Sequence, residues 1–326
     1  MANNVLKQGT PPSVAAPVAK RSWLSLGNLR TQEAIIGYLF ILPLVLGFLF
    51  FQLYPMIQSI QISFTDWDLI GTQKYVGLAN YIKALTKDRL VGIAFANTVY
   101  LMSGIPIGMA LSLLLALAMN QKIKGIAIFR TIYFLPVVSS VVAISVLWRW
   151  IFNPDFGLIN VLLKYIGVDG PLWLGSAEWA KPALIIVGVW GGLGFNMLLF
   201  LAALQGVPKE LMEAATIDGA NVWQRFRYIT WPFITPTAFF IFVTSIIGTF
   251  QVFAQIHLMT RASGPNSIGG GPKWATLTVV YYLWLNGFQY YQMGYASAIA
   301  WLLGIVMFAL TIMQFLVARR WVFYND

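Results

Sequence analysis

Long apolar runs separated by short polar segments dominate the pattern of this chain. An α-helix needs about 20 residues to cross a bilayer, and six runs are long enough: 35–62, 92–119, 127–152, 182–204, 233–259 and 293–317. Because main-chain polar groups in lipid must be paired within their own segment, each run predicts a transmembrane helix. We expect kinks at the prolines that lie in or near these runs, Pro43, Pro55, Pro106 and Pro136.

The composition indicates the same class of protein. Of the 326 residues, 59% are apolar and only 10% are charged, whereas soluble domains have about 45–50% apolar and about 25% charged residues. The chain has no cysteine and one histidine, His257, so a thiolate or histidine-cluster metal site is excluded and a Ser-His-Asp triad is disfavoured. The net charge of +10 is spread over short loops, which is typical of membrane topology. We therefore expect no nucleic-acid partner.

Residues 1–33 predict a flexible, basic cytoplasmic tail, because they combine three prolines with four Lys and Arg residues. We expect no cleaved signal peptide, since the first apolar run is far longer than the apolar core of about 7–15 residues in such peptides. If the N-terminus is inside, the inner segments hold 12 Lys and Arg residues and the outer segments hold 9. This bias predicts that both termini lie in the cytoplasm.

A polar segment, residues 205–232, separates the fourth and fifth apolar runs. Pro208 suits the first turn of a helix, and Gly219 can end that helix by adopting a positive φ. Asn221 and Gln224 match a capping box, which starts a second short helix. We expect this second helix to end before Pro232 and to carry three apolar residues, Trp223, Phe226 and Ile229.

The charges of the first short helix oppose its dipole. Lys209 lies at the start and Asp218 at the end, where the opposite signs would each be favoured by about 0.3–1 kcal/mol. A local rule that is broken without visible compensation often marks a functional surface. Glu213 forms an acidic tip among small residues that another protein could approach closely. The plainer alternative is an interfacial helix that only links two spans.

This segment resembles the EAA motif of permease subunits of ATP-binding-cassette importers. The residues that match its extended carbohydrate-importer form are Glu213, Ala214, Ala215, Asp218, Gly219, Ala220, Phe226, Ile229, Pro232 and Pro236. Residues 34–324 are also similar to the maltose-type first permease subgroup, for example at 130–136, 270–272 and 294–298. The resemblance implies an all-α polytopic membrane protein with the type I importer permease fold. It further implies a permease domain over 34–324, with six transmembrane helices, both termini inside and a cytoplasmic coupling helix between helices 4 and 5.

The resemblance also implies partners and a mechanism. In this family the loop docks on cytoplasmic ATPase subunits, whose closure rocks the transmembrane halves between inward- and outward-facing states. The expected partners are two such ATPases, a second similar permease that completes a heterodimer, and an extracytoplasmic solute-binding protein that delivers a carbohydrate. The sequence contains no G-x4-G-K-[ST] phosphate loop. We therefore expect no enzymatic activity and no cofactor in this chain, with ATP and Mg²⁺ bound by the partner ATPase.

The loop residues expected to couple to the ATPase are Glu213, Ala214, Ala215, Asp218, Gly219, Ala220 and Phe226. Among them, Glu213 is expected to make a charged contact and Gly219 to provide the bend. The expected location is the cytoplasmic membrane of a bacterium or archaeon.

A path for a sugar needs polar groups and aromatic faces inside an apolar bundle. The fourth run offers Trp190, Gly191, Gly192, Phe195 and Asn196. In the fifth run, Gln251 and Gln255 share a helical stripe with Thr244 and Gly248, and Ser245 and Thr249 lie beside it. Such residues are also enriched in ordinary contacts between membrane helices. The resemblance implies that the sugar ligands correspond to Gly191, Gly192, Phe195, Ser245 and Thr249. Val252 replaces a family Asn, so the cargo need not be maltose.

The sequence leaves three alternative functions open. An ion-coupled carrier would show carboxylates or histidine pairs within its spans, and none lies mid-span in this sequence. A membrane enzyme would need convergent acid, base or metal ligands, which the composition hardly supplies. A permease of the same family could instead carry glycerol-3-phosphate or a polyol, for which Arg149, Lys164 or Arg261 would matter.

Overall fold

The structure is a computed structural model that describes residues 29–121, 124–261 and 269–323. Its helices are α1 Leu29–Phe48, α2 Tyr54–Ser63, α3 Ala79–Ile82, α4 Arg89–Leu101, α5 Gly104–Met119, α6 Ile126–Val138, α7 Val141–Ile151, α8 Leu158–Tyr165, α9 Ala180–Gln205, α10 Lys209–Ile217, α11 Val222–Arg225, α12 Trp231–Phe250, α13 Ala254–Met259, α14 Val279–Trp284 and α15 Met293–Ala318. Thr65–Asp66 (β1) and Lys74–Tyr75 (β2) pair as an antiparallel ribbon.

The chain divides into two compact units, residues 1–57 and 58–326. Most of the predicted N-terminal tail, up to residue 28, lies outside the described residues, and α1 already begins at Leu29. Within the first unit, nearly all side chains of α1 from Ala34 onward are exposed and apolar, as expected for a helix whose surroundings include lipid. Pro43 lies inside α1 without interrupting it.

Five helical runs of the described residues are long and apolar enough to cross a membrane, and they overlap five of the predicted spans. They are Gln32–Ser63, Arg89–Met119, Ala180–Gln205, Val222–Phe250 and Met293–Ala318. The remaining predicted span, 127–152, folds as α6 and α7, which meet at an angle of 101°. The bend follows Pro136, which lacks an N–H and collides with the carbonyl four residues earlier. Among the described residues, five helical runs are therefore long and apolar enough to cross a membrane, or six if α6 and α7 together form one span.

Two prolines are accommodated by π-helical turns, Leu49–Leu53 and Phe226–Thr230. In each turn, the residue before the proline donates its N–H to the carbonyl five residues back, Tyr54 to Leu49 and Trp231 to Phe226. The wider turn makes room for the proline ring. The prediction that the second loop helix ends before Pro232 is therefore wrong. That helix continues through the π-helical turn into α12, as one run from Val222 to Phe250.

The fifth predicted span, 233–259, is also interrupted. α12 ends at Phe250, and α13 begins only at Ala254. The Thr278 hydroxyl donates to the carbonyl of Val252 at 3.1 Å, so a tertiary hydrogen bond replaces a helical one at the break. Gln251 and Gln255 consequently do not share one continuous helix, and the predicted stripe through Thr244 and Gly248 is wrong beyond Phe250.

α9 lies at the centre of the second unit and contributes to both of its main apolar clusters. One cluster includes Ala183, Leu184 and Val187, and the other includes Met197, Phe200 and Leu204. α5 crosses α9 closely, because a Cβ atom on Gly104 would lie 3.0 Å from Ile185 Cγ2. Small residues at such crossings let helices approach and gain packing contacts in lipid.

Buried polar side chains hold the segments that connect the spans. The carboxylate of Asp88 accepts hydrogen bonds of 2.6 Å from the hydroxyls of Tyr282 and Tyr295, and one of 2.9 Å from the Leu90 N–H. The side-chain amide of Asn97 donates to two carbonyls of the segment before α14, those of Trp274 and Leu277, at 2.8 and 3.0 Å. These bonds fix α4 against α14 and α15.

Candidate functional site

A cavity of about 470 Å³ lies among α5, the α6–α7 pair, α9, and the α12–α13 pair. Most of its wall is apolar. Its polar side chains among the described residues are Ser139, Asn196, Ser245, Thr249 and Gln255, and no Asp, Glu, Lys or Arg of the described residues lines it. This lining suits an uncharged ligand that has both hydroxyl groups and apolar faces.

The bend between α6 and α7 forms one wall of the cavity, which Pro136, Ser139, Val141 and Ile144 line. The Ser139 hydroxyl donates to the carbonyl of Leu135 at 2.8 Å and keeps its lone pairs for a further donor. Sequence reasoning missed Ser139 as a site residue. The sequence feature that could have identified it is a pair of serines, Ser139 and Ser140, shortly after Pro136 in an otherwise apolar run.

Glycines provide much of the space in the cavity. A Cβ atom on Gly188, Gly191 or Gly248 would meet no atom within 4 Å, and one on Gly192 would meet only Asn196 Nδ2 at 3.7 Å. These glycines are therefore not required for packing within this chain. Their missing side chains leave room in the cavity.

The predicted path residues divide into two groups. Those that line the cavity are Gly191, Gly192, Phe195, Asn196, Ser245, Thr249 and Gln255. Phe195 is 47% exposed, which presents an aromatic face to the open space. Trp190 instead packs edge-on against Trp148, with ring centroids 5.5 Å apart. Gln251 caps α12, is exposed and does not line the cavity.

The segment 205–232 contains two helices that meet at Gly219, which has φ = +79°. α10 ends when the Ala220 N–H bonds the Ala215 carbonyl at 2.9 Å, an arrangement that requires a left-handed residue. The predicted capping box is confirmed. Gln224 N–H donates to Asn221 Oδ1 at 2.9 Å, and Asn221 N–H donates to Gln224 Oε1 at 2.8 Å.

Side chains tie these two helices together. The guanidinium of Arg225 donates to the Thr216 hydroxyl, and the Thr230 hydroxyl lies 4.0 Å from the Met212 sulfur. Phe226 is half-buried between Trp223 and Trp231, with ring centroids 5.8 and 6.3 Å apart. Phe226 therefore stabilises the loop from within.

The outer surface of the segment combines carboxylates with exposed apolar side chains. Glu213, Ala214, Asp218 and Gly219 are exposed, whereas Ala215 and Ala220 are partly buried. Ile217 is 87%, Val222 73% and Trp223 68% exposed. Large apolar side chains that surround acidic ones on a rigid loop are typical of a protein docking surface. Sequence reasoning did not assign Ile217 and Val222 to this surface, although both flank the bend.

The loop and the cavity are mechanically continuous. α11, the π-helical turn and α12 form a single helical run, and Ser245 and Thr249 of that run line the cavity. At about 1.5 Å per residue, the 23 residues between Val222 and Ser245 span roughly 35 Å. One helical run therefore connects the loop to the cavity wall.

Among the described residues, no group of three or more His, Cys, Asp or Glu side chains is placed to hold an ion. The hydroxyl, amide and aromatic groups that line the cavity are suited to binding a ligand.

Comparisons with known proteins give a consistent result. The family model of the binding-protein-dependent transport system inner membrane component matches residues 104–322. The chain is 38% identical to the probable ABC transporter permease protein YesP of Bacillus subtilis, over 90% of this chain and 94% of that protein. It is 35% identical to the arabinooligosaccharides transport system permease protein AraP of Halalkalibacterium halodurans, over 94% of this chain and 95% of that protein.

A solved structure is also similar to this chain. It is a bacterial alginate ABC transporter in complex with an alginate pentasaccharide-bound periplasmic protein, and one of its chains matches with a TM-score of 0.76. The two chains are 27% identical, and the match covers 89% of this chain and 96% of that one. The extent of the family match and the identity to its relatives show that this chain belongs to the family of binding-protein-dependent transport system inner membrane components, as the EAA-like segment predicted.

Proposed function

We propose that this chain is the transmembrane permease subunit of an ATP-binding-cassette importer that translocates a sugar or oligosaccharide. The observation that carries the proposal is the cavity, whose hydroxyl, amide and aromatic groups are joined to an exposed acidic loop by one continuous helix. A relative named for arabinooligosaccharide transport supports the choice of a sugar or oligosaccharide as cargo.

An uncharged cargo fits the cavity better than a phosphate ester does. Glycerol-3-phosphate would need cations to offset its phosphate, because a charge that leaves water without a partner is strongly disfavoured. Among the described residues, no Lys or Arg lines the cavity, and Arg149, Lys164 and Arg261 lie outside its wall. Hydroxyl groups of a sugar can instead pair with Ser245, Thr249 and Gln255.

For the topology we favour six transmembrane spans, with α6 and α7 counted as one, and both termini in the cytoplasm. The excess of Lys and Arg on the inner segments supports this orientation. Segment 205–232 then lies on the cytoplasmic side as the coupling loop. The protein would be a multi-pass protein of a bacterial or archaeal cytoplasmic membrane.

The proposed assembly contains this chain, a second similar permease, two cytoplasmic ATPase subunits and an extracytoplasmic solute-binding protein. The ATPase subunits bind ATP and Mg²⁺ and dock on the loop at Glu213, Ile217, Val222 and Trp223. Binding of ATP draws the two loops of the heterodimer together, and α12 carries this movement to the cavity. The cavity then opens alternately to each side of the membrane.

The experiment that tests this proposal is transport by the complete importer in proteoliposomes. Glu213→Lys reverses a charge on the docking surface. The matched control, Glu178→Lys, makes the same change at an exposed position just before the N-terminal end of α9, whereas the loop follows the C-terminal end of that helix. We expect Glu213→Lys to abolish ATP-driven uptake while the protein still inserts, and Glu178→Lys to retain it. Full uptake coupled to ATP hydrolysis in Glu213→Lys would refute the coupling assignment.

A further inference from the structure

The C-terminal segment after α15, residues 319–323, folds back onto the N-terminal half of α12. The Phe323 N–H donates to the Thr235 hydroxyl oxygen at 3.0 Å. The ring of Trp321 packs edge-on against Phe239, with centroids 6.0 Å apart, and Val322 is buried. We call residues 319–323 the strap.

Thr235 is suited to hold the strap because of the prolines around it. Pro236 has no N–H, so the carbonyl of Pro232 lacks the donor that a helix would normally supply four residues later. The Thr235 hydroxyl donates its proton to that carbonyl at 2.7 Å, which leaves its lone pairs free to accept the Phe323 N–H. The side chain is completely buried. One hydroxyl therefore repairs α12 and binds the strap.

The strap fixes the position of α15 along α12. Apart from it, the two helices meet here through rings such as Phe239 and Phe315, 5.1 Å apart. Apolar contacts are non-directional and tolerate sliding, whereas a hydrogen bond weakens steeply when its distance or angle changes. The Thr235–Phe323 bond thus selects one axial register.

At its other end, α15 is attached to the ribbon, because the Met293 N–H donates to the Trp67 carbonyl at 2.9 Å. α15 has 26 residues and is therefore about 39 Å long. α15 therefore connects the strap to the ribbon.

We propose that Thr235 is a positioning residue for transport, through which the strap makes α15 move together with α12 when the coupling loop is displaced. This inference rests on the proposed function, since it assumes that the loop drives α12. The strap then distributes the displacement over two helices instead of one. Loss of the bond lets α12 move while α15 lags behind, so ATP is hydrolysed without a complete change of access.

The test is the number of ATP molecules hydrolysed per substrate transported in proteoliposomes that contain the complete importer. Thr235→Val keeps the shape and removes both hydrogen bonds. We expect uptake to fall about tenfold, which corresponds to the loss of the one bond that holds the strap, at about 1.4 kcal/mol. Substrate-stimulated ATP hydrolysis should remain near that of the wild type. Thr235→Ser restores the hydroxyl and is expected to restore coupling.

Two further variants separate positioning from folding. Thr311→Val is the matched control, because the Thr311 hydroxyl donates only within α15, to the Met307 carbonyl at 2.8 Å; normal coupling is expected. A chain that ends after Val322 loses the Phe323 donor but keeps the buried Val322 and the Thr235–Pro232 bond. It should be uncoupled like Thr235→Val, and it tests the strap even if Thr235→Val folds poorly.

The outcomes distinguish the strap from the proposed function. Normal coupling in both Thr235→Val and the shortened chain, together with loss of uptake in Glu213→Lys, overturns the strap alone. A parallel fall of uptake and ATP hydrolysis in the shortened chain also overturns it, because that pattern indicates structural damage. Absence of substrate-stimulated ATP hydrolysis in the wild-type complex would instead overturn the proposed function and the strap with it.

Discussion

A Cβ atom on Gly194 would lie 2.2 Å from the main-chain carbonyl oxygen of Tyr133, so α9 and α6 are in backbone contact at this point. Three residues earlier, a Cβ atom on Gly191 would meet no atom within 4 Å, because that position faces the cavity. The two glycines are close in sequence but differ in role. One closes a contact between helices, and the other leaves space for a ligand.

We predict that Gly194→Ala and Gly191→Ala affect different properties. Overpacking at Gly194 should cost about 1–3 kcal/mol and lower the thermal unfolding temperature of the purified protein in detergent. Gly191→Ala should unfold like the wild type, whereas Gly191→Leu should block uptake without loss of stability, because the larger side chain fills the cavity. Equal stability of Gly194→Ala and the wild type would show that α6 and α9 are not in contact here.

The cavity assignment predicts a contrast between two glutamines. Gln255 lines the cavity, whereas Gln251 caps α12 and is exposed away from it. Gln255→Ala and Thr249→Ala should each raise the substrate concentration for half-maximal uptake severalfold, since a lost hydrogen bond to a ligand costs about 0.5–1.5 kcal/mol. Binding of the ATPase subunits should be unchanged.

Gln251→Ala is the control in these uptake assays and should leave the concentration dependence unaltered. A larger effect of Gln251→Ala than of Gln255→Ala would place the ligand outside this cavity.

Gly219 and Gly125 allow the bend of the coupling loop to be tested with a matched control. Both have φ = +79°, and a Cβ atom on either would meet no neighbour within 4 Å. The backbone strain of an alanine, roughly 1–2 kcal/mol, is therefore equal at the two positions. Gly219→Ala should reduce uptake and ATPase binding in pull-down assays, and Gly125→Ala should reduce neither. Similar losses in both variants would indicate general destabilisation.

Asp88 is predicted to be a stability determinant of the second unit. Burial, followed by the hydrogen bond to Asp88, raises the pKa of Tyr282, so this hydroxyl remains a donor at physiological pH. Asp88→Asn replaces one acceptor oxygen by an NH₂ donor, so either the Leu90 N–H or the two tyrosine hydroxyls lose their acceptor, at a cost of about 1–3 kcal/mol.

In thermal unfolding assays, Asp88→Asn should lower the midpoint more than Tyr282→Phe does, because the carboxylate in Tyr282→Phe keeps its other donors. Asp155→Asn, at an exposed position, should have no effect. An unchanged midpoint in Asp88→Asn would exclude the cluster as a stabilising contact.

The sequence predicted those features that depend on local pattern. Apolar runs located five helices and the bent pair, because the length needed to cross a bilayer is fixed, and the capping box at Asn221 was read from two residues. The break after Phe250 was not predictable, since it depends on Thr278, which is distant in the chain and bonds the Val252 carbonyl. The continuation of the loop helix past Pro232 was missed because a π-helical turn leaves no clear signature in the sequence.

The same limit applies to the candidate site. Residue types suggested the path, and seven of the nine named residues line one cavity. Trp190 does not line the cavity because it packs against Trp148. Gln251 does not line it because α12 ends there and Gln251 caps the helix. Ser139 became visible as a lining residue only when the bend between α6 and α7 brought it to the wall.

The orientation of the chain can be tested with single cysteines, because the sequence has none of its own. Ile70, at the tip of the ribbon, is 92% exposed, and Ile217 is the exposed apolar residue at the bend of the loop. We expect a membrane-impermeant maleimide to label Ile70→Cys in intact cells and Ile217→Cys only in inverted vesicles. The reverse pattern would place the loop outside.

If the loop docks an ATPase subunit, a cross-linker attached to the loop should capture that subunit. A thiol-attached photo-crosslinker is placed on Ile217→Cys in the purified active importer, with Ile70→Cys as the matched control. We expect Ile217→Cys to cross-link to the ATPase subunit and Ile70→Cys not to do so. An active importer in which Ile217→Cys forms no adduct with the ATPase, or forms no more than Ile70→Cys does, would show that the loop does not dock this subunit.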